Sequence, residues 1–357
     1  MRTSLPAQTA AVVLGEIRRG RWRGWLPGER QLCEELRVSR GTLRGALAIL
    51  QGQRALKVVS SQGHQILRSP RRARPATERV SIGVLSPEPL ETLRPFFGLM
   101  MDRLCESAYG RGWTVQRHYR ASCFGPKAEA NLDMLAVDFP STCWILVRAN
   151  RRAQEWFQQR TLPAIVSGHT YPSVTLPSLD GDHRAVGRHA GILLTRQGHE
   201  FAALIVSRER LPGLIEGEAG FLDGFRHPDG SESLILRVSD DGDDAALAGA
   251  ITRIFRQSTR PTAVITETSN QYLVVLSALA QLRLVVPHDV SLVSRLDDTY
   301  LEHLTPVPTR YRVDPAGFAR ALTAMVAHVV AGEKLPAVAR MIIPDFIKGA
   351  SIARPSR

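Results

Sequence analysis

Two arginines four residues apart, Arg40 and Arg44, carry the most specific chemistry in this sequence. They share a face with Gly41, Gly45 and Ala48, while Leu43, Ala46, Leu47 and Leu50 repeat on the other face at i, i+3, i+4 and i+7, the apolar stripe of a buried helix side. Small residues let a helix approach the floor of a DNA major groove. Guanidinium groups near its N-terminus then reach guanine edges or phosphates. The charge balance points the same way. Residues 1–79 hold 16 Lys and Arg against five Glu and no Asp, which is +11 of the chain's net +12. A basic segment ahead of a near-neutral remainder is the pattern of a nucleic-acid-binding head on a neutral body. The competing reading is a solubilising basic tail, and two capped, periodic helices stand against it.

Several elements must hold those arginines. Pro27 and Gly28 break the chain, and residues 29–37 form a short amphipathic helix with Leu32 and Leu36 at i, i+4 spacing. Val38 and Ser39 end it, and the Ser39 hydroxyl caps the next helix. Leu56, Val58 and Val59 then read as a strand, residues 60–63 as a tight turn and residues 65–67 as the return, a β-hairpin wing. Residues 8–68 resemble the winged helix-turn-helix of GntR-type bacterial regulators through LPGERQL (26–32), VSRGTLRGAL (38–47) and SSQGH (60–64). One departure is Gln53-Arg54-Ala55-Leu56, where the family usually has a glycine before the strand. The resemblance implies DNA contacts from Arg30, Arg40, Thr42 and Arg44. It also implies minor-groove or phosphate contact from Gln62 and Gly63. The winged head is assigned to residues 1–68. Residues 69–79 are polar, basic and Pro-containing, and read as an extended linker, with a second DNA-contacting strap as the alternative.

From residue 80 short apolar runs alternate with helical periods. Strands are expected at 80–85, 114–118, 143–147, 164–167, 201–206, 234–238, 263–266 and 290–293. Helices are expected at 95–110, 127–137, 153–160, 183–196, 218–225, 244–257 and 271–282. This alternation predicts an α/β class with a parallel sheet, and the length predicts two lobes. Ligands of such folds sit beyond the carboxyl ends of strands and between lobes. The candidate ligand residues are therefore Ser86, Pro87, Phe96, Asp180, Asp182, Ser207, Asn270 and Asp297. Carboxylates and amides suit hydroxylated ligands, and an aromatic face suits the apolar side of a sugar ring. The plainer reading of each is a loop cap or helix start, and Asp180 and Asp182 can simply cap the 183–196 helix.

Residues 80–357 also resemble the LacI/GalR-type effector domain, which has the periplasmic-binding-protein fold. The motifs are IGVL (82–85), Asp182 to Gly187, LLTRQGHEFAALI (193–205), PTAVI (261–265), VPHDVSLVSRLDD (286–298), Ile342-Ile343-Pro344 and Ser351-Ile352-Ala353. Two departures bear on the ligand. The family places a ligand-binding arginine three residues before a Gly-Phe pair. Counted from Gly224-Phe225, that place is held by Phe221, which is kept among the effector residues. SRLDD also has one residue more than the family's corresponding segment, which leaves the register of Asp297 open. The family's hinge helix is absent. Loss of the arginine removes the obvious partner of an anion, so the expected effector is neutral and hydroxylated, a sugar.

The combined reading is a cytoplasmic transcription regulator of the repressor type. It binds a double-stranded DNA operator, senses a small carbohydrate and forms a homodimer. The alternatives are a degenerate body that only dimerises and an enzyme carrying a DNA-binding head. No catalytic residue, metal or cofactor is expected. Asp240 to Asp244 lacks the length and closing Glu of a calcium loop and suits a helix N-terminus. Cys33, Cys105, Cys123 and Cys143 show no CxxC spacing and read as reduced thiols. His199 follows Gly198 in a turn and reads as structural. Phosphate-loop, dinucleotide, nucleophile-elbow and zinc-protease motifs are missing, as are a membrane-length apolar run and a signal region.

Overall fold

The computed structural model describes residues 5–18, 21–22, 24–52, 55–59, 63–67, 80–226 and 233–355. The chain divides into two compact units, Met1–Glu78 and Arg79–Arg357. The expected linker at 69–79 and the wing tip with Gln62 lie outside the described residues. No helix among the described residues is long and apolar enough to cross a membrane.

The first unit contains α1 (Leu5–Arg18), α2 (Glu29–Leu36), α3 (Arg40–Gly52), β1 (Leu56–Val59) and β2 (Gly63–Ile66). Its core joins Ala10 and Val13 of α1 to Leu32, the α3 stripe and Leu56. Arg37 ends α2 in the left-handed conformation at φ 52°. The Thr42 amide donates to Ser39 Oγ at 3.2 Å, satisfying one orphan donor of α3. β1 and β2 pair antiparallel from Leu56 opposite Ile66 to Val59 opposite Gly63. Trp25 bridges to Gln65, so the segment before α2 lies along the hairpin as a short third strand. The structure corrects one expectation here. A Cβ on Gly45 would lie 3.1 Å from Pro6 Cβ, so Gly45 lets α1 approach α3 and does not belong to an outward face.

The second unit runs β3 (Ser81–Ser86), α4 (Pro95–Tyr109), β4 (Thr114–Tyr119), α5 (Ala128–Asp138), β5 (Cys143–Val147), α6 (Arg151–Gln159), β6 (Ala164–Ser167) and β7 (Ser178–Gly181). It continues with α7 (His183–Arg196), β8 (Phe201–Ser207), α8 (Pro212–Gly224), β9 (Leu234–Asp240), α9 (Asp244–Phe255), β10 (Ala263–Thr266), α10 (Ser269–Gln281) and β11 (Ser291–Ser294). It ends with β12 (Thr309–Arg312), α11 (Pro315–Val330), β13 (Ala339–Ile342) and β14 (Asp345–Ile347). Two six-stranded sheets result, in the orders β13-β7-β6-β5-β3-β4 and β14-β12-β11-β10-β8-β9. Every described pairing in them is parallel except β12 with β14.

Successive strand residues face opposite helical layers. In the first lobe Ile82, Ile145 and Leu179 pack on α4 and α11, while Leu85, Leu146 and Val166 pack on α5 and α6. In the second, Ala203, Val264 and Leu292 face α9 and α10, and Leu204, Ile265 and Val293 face α7 and α8. Those last two helices touch backbone to backbone. A Cβ on Gly187 would lie 2.0 Å from the Gly217 carbonyl oxygen, and one on Gly220 would lie 2.1 Å from that of Arg184.

The chain passes between the lobes three times, after β7, β12 and β13. The crossings adjoin: the Asp182 amide donates to the Ile342 carbonyl at 2.8 Å, and a Cβ on Gly181 would lie 3.2 Å from Val313 Cγ2. The expected two-lobed α/β architecture is present. The strands and helix that sequence patterning missed, β7, β12, α11, β13 and β14, are those at or after the crossings. Helix α8 also starts six residues earlier than expected.

Candidate functional site

The carboxyl ends of strands from both lobes converge on a cavity of about 210 Å³, small beside the ~300–1,000 Å³ of drug-sized sites and suited to a compact ligand. A larger depression of about 740 Å³ beside α5 and α6 is wide open. Glu129, Arg151 and Arg152 on it are exposed. The interlobe cavity is the candidate site, because two of its charged groups, Arg295 and Asp297, are buried and the others are held in ion pairs.

Arg295, immediately after β11, is the most constrained of these groups. Its backbone N–H donates to the Thr266 carbonyl at 2.9 Å, and its side chain is only 2% exposed. Nη2 lies 2.9 Å from Glu267 Oε1, yet none of the three guanidinium nitrogens has an aligned hydrogen-bond acceptor. Burial pushes the Arg295 pKa down, and the charges of Glu267 and Glu218 only partly restore it. Glu267 Oε2 accepts from the Ser207 amide at 2.8 Å. Gln271 Nε2 donates to Ser207 Oγ at 3.2 Å and to Asp240 Oδ2 at 2.7 Å. Thr268 and Gln271 form a capping box at the start of α10, which fixes this network to a rigid helix end.

Asp297 also lines the cavity. Its carboxylate is 3% exposed and accepts from Arg310 Nε at 2.6 Å and from Arg312 Nε. The Asp297 carbonyl and the Asp298 carboxylate accept from Arg94, which precedes α4. Arg94 thus ties the first lobe to the second, and Arg148 after β5 does the same with Glu209 after β8.

On the first-lobe side Asp180 of β7 stands between two imidazoles. His169 Nδ1 is 2.6 Å from Asp180 Oδ2, and His183 Nε2 is 3.4 Å from Oδ1. Burial alone would raise the Asp180 carboxyl, but His183 and His169 outweigh it and hold it well below the usual carboxylate range. Burial likewise pushes His169 down, and its hydrogen bond to Asp180, with that group's charge, turns the net shift upward.

Phe96, Asp180, Ser207 and Asp297 are brought to the cavity as expected, although the Asp297 carboxylate is taken up by two arginines. Ser86, Pro87, Asp182, Phe221 and Asn270 are not among its lining residues. Ser86 is fully buried and donates to the Glu88 carbonyl at 2.8 Å. Asp182 caps α7 by accepting from the Ala185 amide at 2.8 Å. Asn270 is exposed and donates to Asp244 at 3.0 Å. Phe221 is a core residue, fully buried and stacked on Phe225 at 5.2 Å.

A second Gly-Phe pair, Gly220-Phe221, precedes Gly224-Phe225. Counted from Gly220-Phe221, the position three residues earlier is Gly217. A Cβ on Gly217 would lie 1.9 Å from Arg295 Nη1. The Arg295 guanidinium, from the end of β11, thus lies against α8 at Gly217. Arg295, His169 and His183 were missed by sequence reasoning. The surplus residue in SRLDD was the available signal for the first.

In the first unit Arg30, Arg40 and Arg44 are exposed and Thr42 is half-buried. Arg44 pairs with Glu29 at 3.0 Å, and Arg30 with Glu34 at 3.3 Å. Gly63 opens β2 at φ +94°, a conformation that favours glycine.

A family model described as a periplasmic binding protein-like domain matches residues 192–352. No curated protein matches the sequence. Among solved structures, a LacI family transcriptional regulator from Bifidobacterium animalis subsp. lactis DSM 10140 is similar at 18% identity and TM-score 0.66, over 77% of this chain and 98% of the other. A LacI family transcriptional regulator from Mycobacterium smegmatis is similar at 19% identity and TM-score 0.64, over 77% and 100%. A periplasmic binding protein/LacI transcriptional regulator from Alkaliphilus metalliredigens QYMF, complexed with D-xylulofuranose, is similar at 18% identity and TM-score 0.62, over 76% and 98%. The second unit thus has the two-lobed, parallel-sheet fold of a periplasmic-binding-protein-like domain.

Proposed function

We propose that this chain is a cytoplasmic, homodimeric transcription regulator of the repressor type, with a GntR-type winged helix-turn-helix head and an effector-binding body. The observation that carries the reading is the pairing, in one chain, of a two-lobed ligand-binding fold with a basic unit whose α3 presents exposed Arg40 and Arg44. In this reading α3 enters the major groove, with Arg40, Thr42 and Arg44 at the bases and Arg30 at a phosphate. In the same reading Gln62 and Gly63 contact the minor groove or a phosphate. Two heads on a two-fold dimer read a palindromic operator. Effector closure of the cleft changes DNA affinity by the difference in the effector's affinity for the two body states.

The effector we infer is neutral and hydroxylated, a sugar. Its support is charge pairing in and around the cleft. Arg94 meets Asp298, Arg148 meets Glu209, Arg295 meets Glu267, and Arg310 and Arg312 meet Asp297 and Glu302. A ligand with net charge would find its counter-charge already matched. Hydroxyls can instead use the remaining guanidinium donors and carboxylate lone pairs. The structural relative holding D-xylulofuranose favours the same class. Footprinting with the full chain, with and without a panel of monosaccharides, tests the whole reading. Sequence-specific protection that one sugar relieves supports it, and absence of specific protection overturns it.

A further inference from the structure

Three metal-ligating side chains meet on the first-lobe side of the cleft. They come from separate elements: His169 follows β6, Asp180 lies in β7, and His183 opens α7. Their donor atoms all lie within 4.8 Å of one another. Ligands sharing one zinc-like ion at ~2.0–2.2 Å stand about 3.4 Å apart in tetrahedral geometry. The observed 3.4 Å between His183 Nε2 and Asp180 Oδ1 matches that spacing. The 2.6 Å between His169 Nδ1 and Asp180 Oδ2 has to open by less than about 1 Å.

The surroundings suit such an ion. Asp180 Oδ1 also accepts from the Gly181 amide at 2.8 Å, an outer hydrogen bond of the kind that orients a ligating carboxylate. The side chains are 11%, 20% and 17% exposed, shielded yet reachable from the cavity they line. The first turn of α8 leaves them space only because residue 213 is glycine. A Cβ there would lie 2.9 Å from His183 Cδ2, 3.0 Å from His169 Nδ1 and 3.1 Å from Asp180 Oδ2.

We propose that His169, Asp180 and His183 bind one divalent transition-metal ion, with its remaining coordination positions open to the interlobe cleft. Two imidazoles and one carboxylate select zinc, iron(II), cobalt(II) or nickel over calcium or magnesium. Three protein ligands leave room for water or for a ligand oxygen. Asp180 precedes the first interlobe crossing and His183 follows it, so the ion also clamps that crossing. The proposal goes beyond the regulator reading and stands without it, because metal binding is measured independently of DNA binding.

The test uses the untagged full chain, stripped with chelator and titrated with Co²⁺ and then Zn²⁺. One equivalent should bind. The cobalt form should show visible d–d bands without thiolate charge transfer, which sets the site apart from the four cysteines. His169→Gln, His183→Gln and Asp180→Asn should each weaken binding by at least ~100-fold, beyond the 10–100-fold cost of disturbing outer partners. The exposed-site control His303→Gln should bind as the parent does. Circular dichroism verifies folding, and any one folded variant of the three suffices. Absence of stoichiometric binding, a thiolate band, or full binding in the folded variants overturns the proposal.

Discussion

Arg30 of α2 and Arg44 of α3 make the same kind of ion pair as the arginine after β11, in opposite surroundings. Arg44 is 71% exposed beside Glu29, and Arg30 and Glu34 are 86% and 68% exposed. Arg295 and Glu267 are 2% and 1% exposed. In water such pairs contribute little, and their partners are easily exchanged for a phosphate. In the interior each charge has lost its hydration, so the pair holds only while both members are present. In the proposed function the first unit would therefore offer mobile charge to a polyanion, and the second fixed charge to one small molecule. A single residue type serves both through burial alone.

The sharpest way to break this comparison is Arg295→Met. It strands Glu267 without its counter-charge and should cost about 3–5 kcal/mol in urea denaturation. Adding Glu267→Met should recover most of that. A loss below about 1 kcal/mol for the single variant would mean that water reaches the pair and that the contrast with the head is false.

Acid should separate the two regions next. His199 is 1% exposed, with Nδ1 2.8 Å from Thr262 Oγ1 and Nε2 3.0 Å from Ser291 Oγ. Burial depresses its pKa to about 4, offset only in part by the Ala353 carbonyl. Between pH 6.5 and 4 the folded state therefore binds fewer protons at His199 than the unfolded state does. The stability linked to it is complete above pH 6.5 and is lost as pH falls toward 4, by about 2–3 kcal/mol. Denaturation at pH 7 and pH 4.5 should show this loss in the parent and a smaller one in His199→Gln. Equal losses would assign the acid sensitivity elsewhere.

Arg40→Ala and Arg44→Ala should each cost about 1–3 kcal/mol of specific DNA affinity. Each should change folding stability by less than about 0.5 kcal/mol. Footprints as strong as the parent's would remove α3 from the interface. The smallest effect belongs to Glu34→Gln, which should shift stability by no more than about 0.5 kcal/mol. It should tighten DNA binding slightly at low salt by freeing Arg30, and unchanged affinity there would place Arg30 off the DNA.

What patterning could and could not read follows from local physics. The α3 stripe was legible because a fully buried leucine row repeats at helical spacing. β5, CWILV, was legible because burial on both faces makes a continuous apolar run. β7 reads Ser-Leu-Asp-Gly, whose Asp and Gly disfavour strands. It forms because β6 and β13 flank it. α11, PAGFARALTAMVAHVV, carries alanines around much of its circumference and lies against α4, so its apolar side is poorly marked. Asp180 was legible as a carboxylate just ahead of the 183–196 helix. His169 and His183 were not, because only the pairing of β6 with β7 sets His169 beside Asp180.

The three crossings also order events during synthesis. The first lobe borrows α11 and β13 from the far end of the chain. Until α11 has left the ribosome α4 lacks its neighbouring helix, and until Ile342 has followed β7 has a bare edge. At ~5–20 residues per second, the roughly 275 residues that separate the hairpin from β13 take tens of seconds to make. For that interval a nascent chain carries a finished first unit without a finished second one, and a message truncated before residue 342 would leave it so permanently.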